Sequence, residues 1–156
     1  MFRKLGLSGA LLLVPLVLWA AVTPNAPITP QTPKHYLVRF VQGTDSAATY
    51  KTLVTGGANG TRCMAVWMTT DDTTATHIMT FRITRSATPY QGPIATTNLT
   101  QLPVGILNST LWPGLPTDSD GNSYLHLEPS DLLEVTFATA LTAAKIIAVH
   151  AECWDF

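Results

Sequence analysis

The sequence predicts an all-β protein, a single β-sandwich, and three observations carry that prediction. Threonine occurs 24 times while glutamate and lysine are few, and β-branched side chains suit a pleated surface better than a helix. Short apolar or alternating runs recur between turn signals, and no long run repeats at the helical period. With 156 residues the chain can build one ordinary core but not two. About eight short strands therefore imply two packed sheets, with a jelly roll as one form.

The chain opens on a basic "MFRK" and an apolar run through Ala20, the pattern of a secretory signal. Pro15 interrupts that run, which is short for a membrane span, and Leu18 stands where a small residue is wanted before cleavage. No cysteine follows to carry a lipid anchor. Three readings of residues 1–20 stay open: a removed signal, an uncleaved anchor, or an upstream extension from a misassigned start codon. Residues 21–34 come next, with Pro24, Pro27, Pro30 and Pro33. Such spacing keeps the backbone near polyproline II and supplies no core face, so the stretch reads as an extended arm with these prolines as contact residues.

Residues 35–156 form the predicted β-domain. "HYLVRFVQ" (35–42) and "TYKTLVT" (49–55) are the first strands, and "GGANG" (56–60) is a turn where positive φ costs little. In "TRCMAVWMTT" (61–70) simple alternation puts Cys63, Ala65 and Trp67 on one face and Met64, Val66 and Met68 on the other. Both faces are apolar, which predicts a central strand and a packed Trp67. "THIMTFRITR" (76–85) sets Ile78, Thr80, Arg82 and Thr84 against Met79, Phe81 and Ile83, so one of its faces is expected to be wet. Prolines break up residues 86–116, where "PIATTNL" and "VGILNST" read as short strands and "LWPGLP" as a loop that exposes Trp112 as a contact residue. "SYLHLE" (123–128), "DLLEVTFA" (131–138) and "KIIAVHAECW" (145–154) complete the strands, with "TALTAA" (139–144) as a candidate helical turn.

The closest approach to a chemical motif is "DSDGNSYLHLEP" (118–129), where Asp118, Asp120 and Asn122 occupy the first, third and fifth places of a calcium loop. The remainder of that pattern fails. Its sixth place holds Ser123 in place of glycine, its twelfth is Pro129, and no helices flank it. Gly121-Asn122 is instead a good turn pair, so these three remain weak metal candidates and the expectation is no metal. His35, His77, His126 and His150 show no zinc-ligand spacing, although His77 and His126 are candidates to meet across a sheet. A nucleophile elbow and a phosphate-binding glycine loop are missing, and the closest paired carboxylates, Asp71-Asp72, are adjacent positions that point in different directions, so neither an enzyme nor a cofactor is expected. Net charge is −1, which supplies no basic field for nucleic acid. Charged residues are only 12% of the chain, a composition suited to assembly. Cys63 and Cys153 lie on different candidate strands; they can pair if the chain is exported, or be two small buried apolar residues.

The stretches "GTDSAATYKTLVTGGANGTR" (43–62), "GLPTDSDGNSYLHLEPSD" (114–131) and "VTFATALTAAKIIAVHAE" (135–152) resemble small proteins encoded in the structural gene modules of tailed bacteriophages and prophages. The resemblance covers most of the chain, from about Thr23 to Phe156, and it carries no catalytic residues over. Proteins of that group begin near the Pro/Thr arm, so the apolar leader departs from their pattern. The resemblance implies a virion setting. The expected role is capsid decoration or stabilisation, with the major capsid protein or other virion proteins as partners, and a homo-oligomer, a trimer by analogy, on the capsid surface. Nucleic-acid binding and stable membrane association of the mature form are not expected. The alternatives are an exported, secreted or periplasmic, adhesion or carbohydrate-binding module, and a tail or tail-fibre component.

Overall fold

The computed structural model describes residues 32–86, 91–99, 103–107 and 114–156. Within them run nine strands: β1 (Thr32–Val41), β2 (Lys51–Thr55), β3 (Thr61–Thr70), β4 (His77–Thr84), β5 (Gln91–Leu99), β6 (Val104–Gly105), β7 (Leu125–Leu127), β8 (Leu132–Phe137) and β9 (Ile146–Asp155). They form two antiparallel sheets. One has the order β1-β9-β3-β6, with β7 also paired to β3, and the other is β2-β8-β4-β5. Every pairing is antiparallel, and the β-sandwich expected from the alternating runs is the architecture observed.

The inward-facing residues of the two sheets make the core. Phe40 of β1 meets Phe137 of β8 edge-on, with ring centroids 5.0 Å apart, and Met68, Met79, Phe81 and Leu133 are fully enclosed around them. Enclosing each such side chain contributes about 1.5–3 kcal/mol, which is what offsets the ordering of the chain. Strand β4 follows its sequence alternation: Met79, Phe81 and Ile83 are buried while Ile78, Thr80, Arg82 and Thr84 face outward. Gly56 shows why the turn after β2 needs glycine, since a Cβ there would stand 2.1 Å from the Glu128 carbonyl oxygen.

Several expectations change. The first strand begins at Thr32, inside the stretch assigned to the arm, and Pro33 is the Cα partner of Trp154. Pro24, Pro27 and Pro30 lie outside the described residues, as does Trp112. In β3 the register with β9 shifts between Cys63 and Ala65. That bulge places one extra residue on β3, so Cys63 joins Val66 and Met68 on the buried side while Trp67 faces outward, half-buried. The strand is central all the same, with β9 on one side and β6 and β7 on the other. Residues 139–144 form no helix: Ala144 has φ 60°, and the Lys145 N–H donates to the Thr142 carbonyl at 3.2 Å in a tight turn. In the Pro-rich middle, β5 is longer than expected, and β6 is a two-residue pairing with Trp67 and Met68.

Candidate functional site

Residues 117–123 form a turn. Thr117 and Ser123 bridge its base and Gly121 takes φ 83°. Asp118 Oδ1 accepts the N–H groups of Asn122 at 2.8 Å and Asp120 at 3.0 Å, and Asn122 Nδ2 donates to Asp118 Oδ2 at 3.3 Å. The Asn122 N–H, with the other donors, outweighs burial and holds the Asp118 carboxyl below the usual range. The first carboxylate of the calcium-like pattern is thus engaged by its own loop, and among the described residues no group of three His, Cys, Asp or Glu side chains is arranged to hold a metal ion.

A second feature has the look of chemistry and is structural. His77 Nε2 lies 3.0 Å from Asp72 Oδ2, and His77 Nδ1 lies 3.0 Å from the Thr139 carbonyl oxygen, with both side chains fully buried. Asp72 also accepts the Thr142 N–H at 3.1 Å, the Thr74 N–H at 3.0 Å and the Thr74 hydroxyl at 2.8 Å. Burial works against the charge on Asp72, but these donors prevail and hold its carboxyl far below the ordinary range. Both ring nitrogens of His77 face protein oxygens and the ring is fully buried, so neither is presented to a substrate. The cluster ties the β3–β4 turn to the β8–β9 loop. His126 lies exposed on β7 in the other sheet, so the two histidines proposed to meet do not.

The histidines that do meet are His35 and His150. Residues paired across antiparallel strands point to the same side, and the register lays rows across β1, β9 and β3: Pro33, Trp154 and Arg62; then His35, Glu152 and Ala65; then Leu37, His150 and Trp67. These rows, continued by Arg39, Ala148 and Thr69 and then by Val41 and Ile146, form the outer face of the five-strand sheet. The His150 ring stacks on Trp67 at 5.0 Å and 2°, and on His35 at 5.3 Å. His35 Nε2 and His150 Nδ1 are 3.1 Å apart, close enough for one ring to donate to the other. Burial, followed by the neighbouring His35 and Arg39, moves the His150 pKa down, against the pull of Glu152. Leu37, Val41 and Trp154 add exposed apolar surface at 42%, 39% and 38%. At one end of the face, Trp154, Met64, Arg62 and Asp118 line an open cleft of about 510 Å³.

Behind this face Cys63 and Cys153 are disulfide-bonded between β3 and β9, where they are direct partners in register. Of the two readings open for these cysteines, the structure adopts the bonded one. The outer face of the four-strand sheet is different in kind. Arg82 Nε donates to Glu134 Oε2 at 2.8 Å, Thr84 Oγ donates to the same oxygen at 2.6 Å, and the Arg82 guanidinium lies 3.6 Å from the Tyr50 ring centroid. Burial would raise the Glu134 pKa, but Arg82 and Thr84 hold it below its ordinary value.

Compared with protein-family models and with curated proteins, this chain matches none.

Proposed function

We propose that this chain is a non-enzymatic virion structural protein of a tailed bacteriophage, decorating or stabilising the capsid by laying the outer face of its five-strand sheet on the shell. The observation that carries the reading is the asymmetry of the two outer faces. One presents Leu37, Val41, Trp154 and the His35–His150–Trp67 stack, interspersed with Arg39 and Glu152, and the other presents threonines, a closed Arg82–Glu134 pair and one exposed large apolar side chain, Ile78. Exposed apolar and aromatic side chains gathered on one side of a module, with a few charges among them, mark a contact face. The strand order also supports the reading. Sheets ordered β1-β9-β3-β6 and β2-β8-β4-β5 follow the jelly-roll pattern, an architecture used by capsid and lectin domains alike. Architecture does not decide between those two uses, whereas the resemblance of residues 43–62, 114–131 and 135–152 to phage structural-module proteins favours the first. Protein composition of purified particles from a producing lysate tests it: many copies per particle are expected, and absence from particles would overturn the proposal.

The Cys63–Cys153 bridge favours a second reading, an exported β-sandwich adhesion or carbohydrate-binding module, because such bonds persist in oxidising compartments. A sugar platform presents aromatic ring faces to solvent, and here His150 covers one face of Trp67. Trp154 is the exposed ring that such a module would use. Recovery of a processed, disulfide-bonded form outside the cytoplasm and away from particles would replace the first reading with this one.

A further inference from the structure

Strand β1 is an edge of the five-strand sheet, and an edge strand turns half of its backbone groups away from its one neighbour. The bonds at its end fix which half. The Gln42 N–H donates to the Lys145 carbonyl, on the β9 side, whereas the Val41 N–H donates to Asp45 Oδ2 and the Arg39 carbonyl accepts Lys51 Nζ. Alternation along the strand therefore turns the odd-numbered residues, Pro33 to Val41, toward the open edge. We infer that this edge is a contact between two copies of the chain, in which β1 pairs antiparallel with β1 of a second copy about a two-fold axis at Tyr36.

The open groups select both the partner and the register. At one end Pro33 has no N–H to give. At the other, Lys51 holds the Arg39 carbonyl, Asp45 holds the Val41 N–H, and the N–H groups of Thr44 and Asp45 hold the Val41 carbonyl. Capping of this kind shields an edge from indiscriminate pairing, but here it stops short of the middle. Among the described residues, the N–H and carbonyl groups of His35 and Leu37 stay open, flanked by the Pro33 carbonyl and the Arg39 N–H.

An axis at Tyr36 matches all of them. His35 of one copy then lies opposite Leu37 of the other, and the two exchange both bonds. Pro33 lies opposite Arg39, so the Arg39 N–H meets the Pro33 carbonyl, while the Arg39 carbonyl, already held by Lys51, faces the residue that has no donor. Both adjacent two-fold registers fail this test. An axis at His35 sets Pro33 opposite Leu37 and leaves the Leu37 carbonyl unmet, and an axis at Leu37 aims the His35 N–H at the occupied Arg39 carbonyl. Backbone groups buried without partners are costly, so the register at Tyr36 wins. It also sets no like charges face to face: Arg39 meets Pro33, Lys34 meets Val38, and His35 meets Leu37.

Such a contact is isologous and closes on itself. It would join the two five-strand sheets into one, with the Leu37 rows of both copies adjacent on a single outer face. A partner that docks on that face would then meet it twice on one rigid body.

Tyr36→Cys in the full-length protein tests the axis. Opposed residues of a non-hydrogen-bonded pair have Cα atoms about 4.5 Å apart, within disulfide range, whereas two Val38→Cys positions, four residues out of register, would lie more than about 13 Å apart. After oxidation by dissolved oxygen, intact mass without reductant is expected to show linked dimer from Tyr36→Cys and not from Val38→Cys. Linkage of both alike, or of neither, overturns the inference. Sedimentation of the unsubstituted chain up to about 500 µM, a range suited to a small interface, is expected to show monomer and dimer in equilibrium. A monomer throughout, which would leave the edge to another protein's strand, or a trimer overturns it. Leu37→Pro removes an N–H that faces away from β9 and is expected to weaken the dimer tenfold or more, about 1.4 kcal/mol; an unchanged dissociation constant overturns the inference too. Should that variant fail to fold, the two cysteine variants decide alone. None of these measurements needs a particle, so their failure would leave the assembly reading untouched.

Discussion

The outer faces of the two sheets come from the same period-two alternation, and both flank one shared core, yet they are finished in opposite ways. On the four-strand sheet, Arg82 answers Glu134, Thr84 donates to the same carboxylate, and Arg82 lies over Tyr50. Its polar groups satisfy each other. On the five-strand sheet the rows Leu37, His150 and Trp67 and Pro33, Trp154 and Arg62 place apolar and aromatic surface outward; Arg62 is held by its own contact, its guanidinium 3.6 Å from the Tyr124 ring centroid. A face whose groups are mutually satisfied gains little from a partner, whereas one that leaves apolar area exposed gains from being covered. The five-strand sheet is also the one with a covalent tie between its central strands, which suits a rigid docking surface.

The largest expected effect concerns that tie. Replacing both cysteines, Cys63→Ala with Cys153→Ala, removes a bond that spans 90 residues of sequence and is expected to cost about 2–4 kcal/mol. Denaturant unfolding checks this, and reductant should bring the unmodified protein to the same midpoint. Equal stability of the two forms would show that the platform owes its rigidity to packing alone.

The comparison of faces has a matched pair built into it, since Leu37 and Ile78 are each 42% exposed, one on each face. Leu37→Glu is expected to weaken association with particles tenfold or more, about 1.4 kcal/mol, while Ile78→Glu leaves it unchanged. Cosedimentation of each variant with particles reads the difference directly. If both weaken binding alike, the faces are equivalent and the assignment of the docking side fails.

Much of this arrangement was legible in the sequence, and the parts that were not share a physical cause. The alternation of β4 placed Phe81 inward and Arg82 outward because period two is a property of one strand alone. The turn at Asp118 was legible because Gly121-Asn122 acts locally. Trp67 was misplaced by a bulge of a single residue, which reverses the facing of everything beyond it and leaves no mark in composition. The meeting of His35 with His150 was invisible for another reason. It depends on β1 and β9 being neighbours, a pairing across more than a hundred residues that local spacing does not encode. Had that pairing been known, His35, Leu37, His150 and Trp154 would all have been read as outward.

A smaller effect is expected on the satisfied face. Glu134→Gln removes the charge that Arg82 and Thr84 hold and should destabilise the fold by about 1 kcal/mol near neutral pH. Because the folded Glu134 pKa is depressed, its contribution is present above the unfolded value of about 4.3 and is lost as pH falls through the folded value. The variant should therefore lose stability less steeply than the parent in acid. Parallel unfolding midpoints measured down to about pH 3 would instead show that the pair contributes nothing.

The smallest effect separates the faces by pH. The His150 pKa is lowered in the folded protein, by burial first and then by His35 and Arg39. A lowered folded value means that the neutral ring favours folding, so the contribution is complete above the unfolded value of about 6.5 and fades as pH drops through it toward the folded value. The 3.1 Å approach of the two rings demands the same: one nitrogen must keep a lone pair to accept, and two cationic rings repel. His150→Asn should accordingly flatten the stability profile between about pH 7.5 and 5.5, a window in which Glu134→Gln leaves the slope as it was. An unchanged slope in His150→Asn would place the acid response elsewhere. If the five-strand face also loses particle association over that window in the parent but not in the variant, the ring stack is part of the contact itself, because protonation there adds charge to an otherwise apolar row.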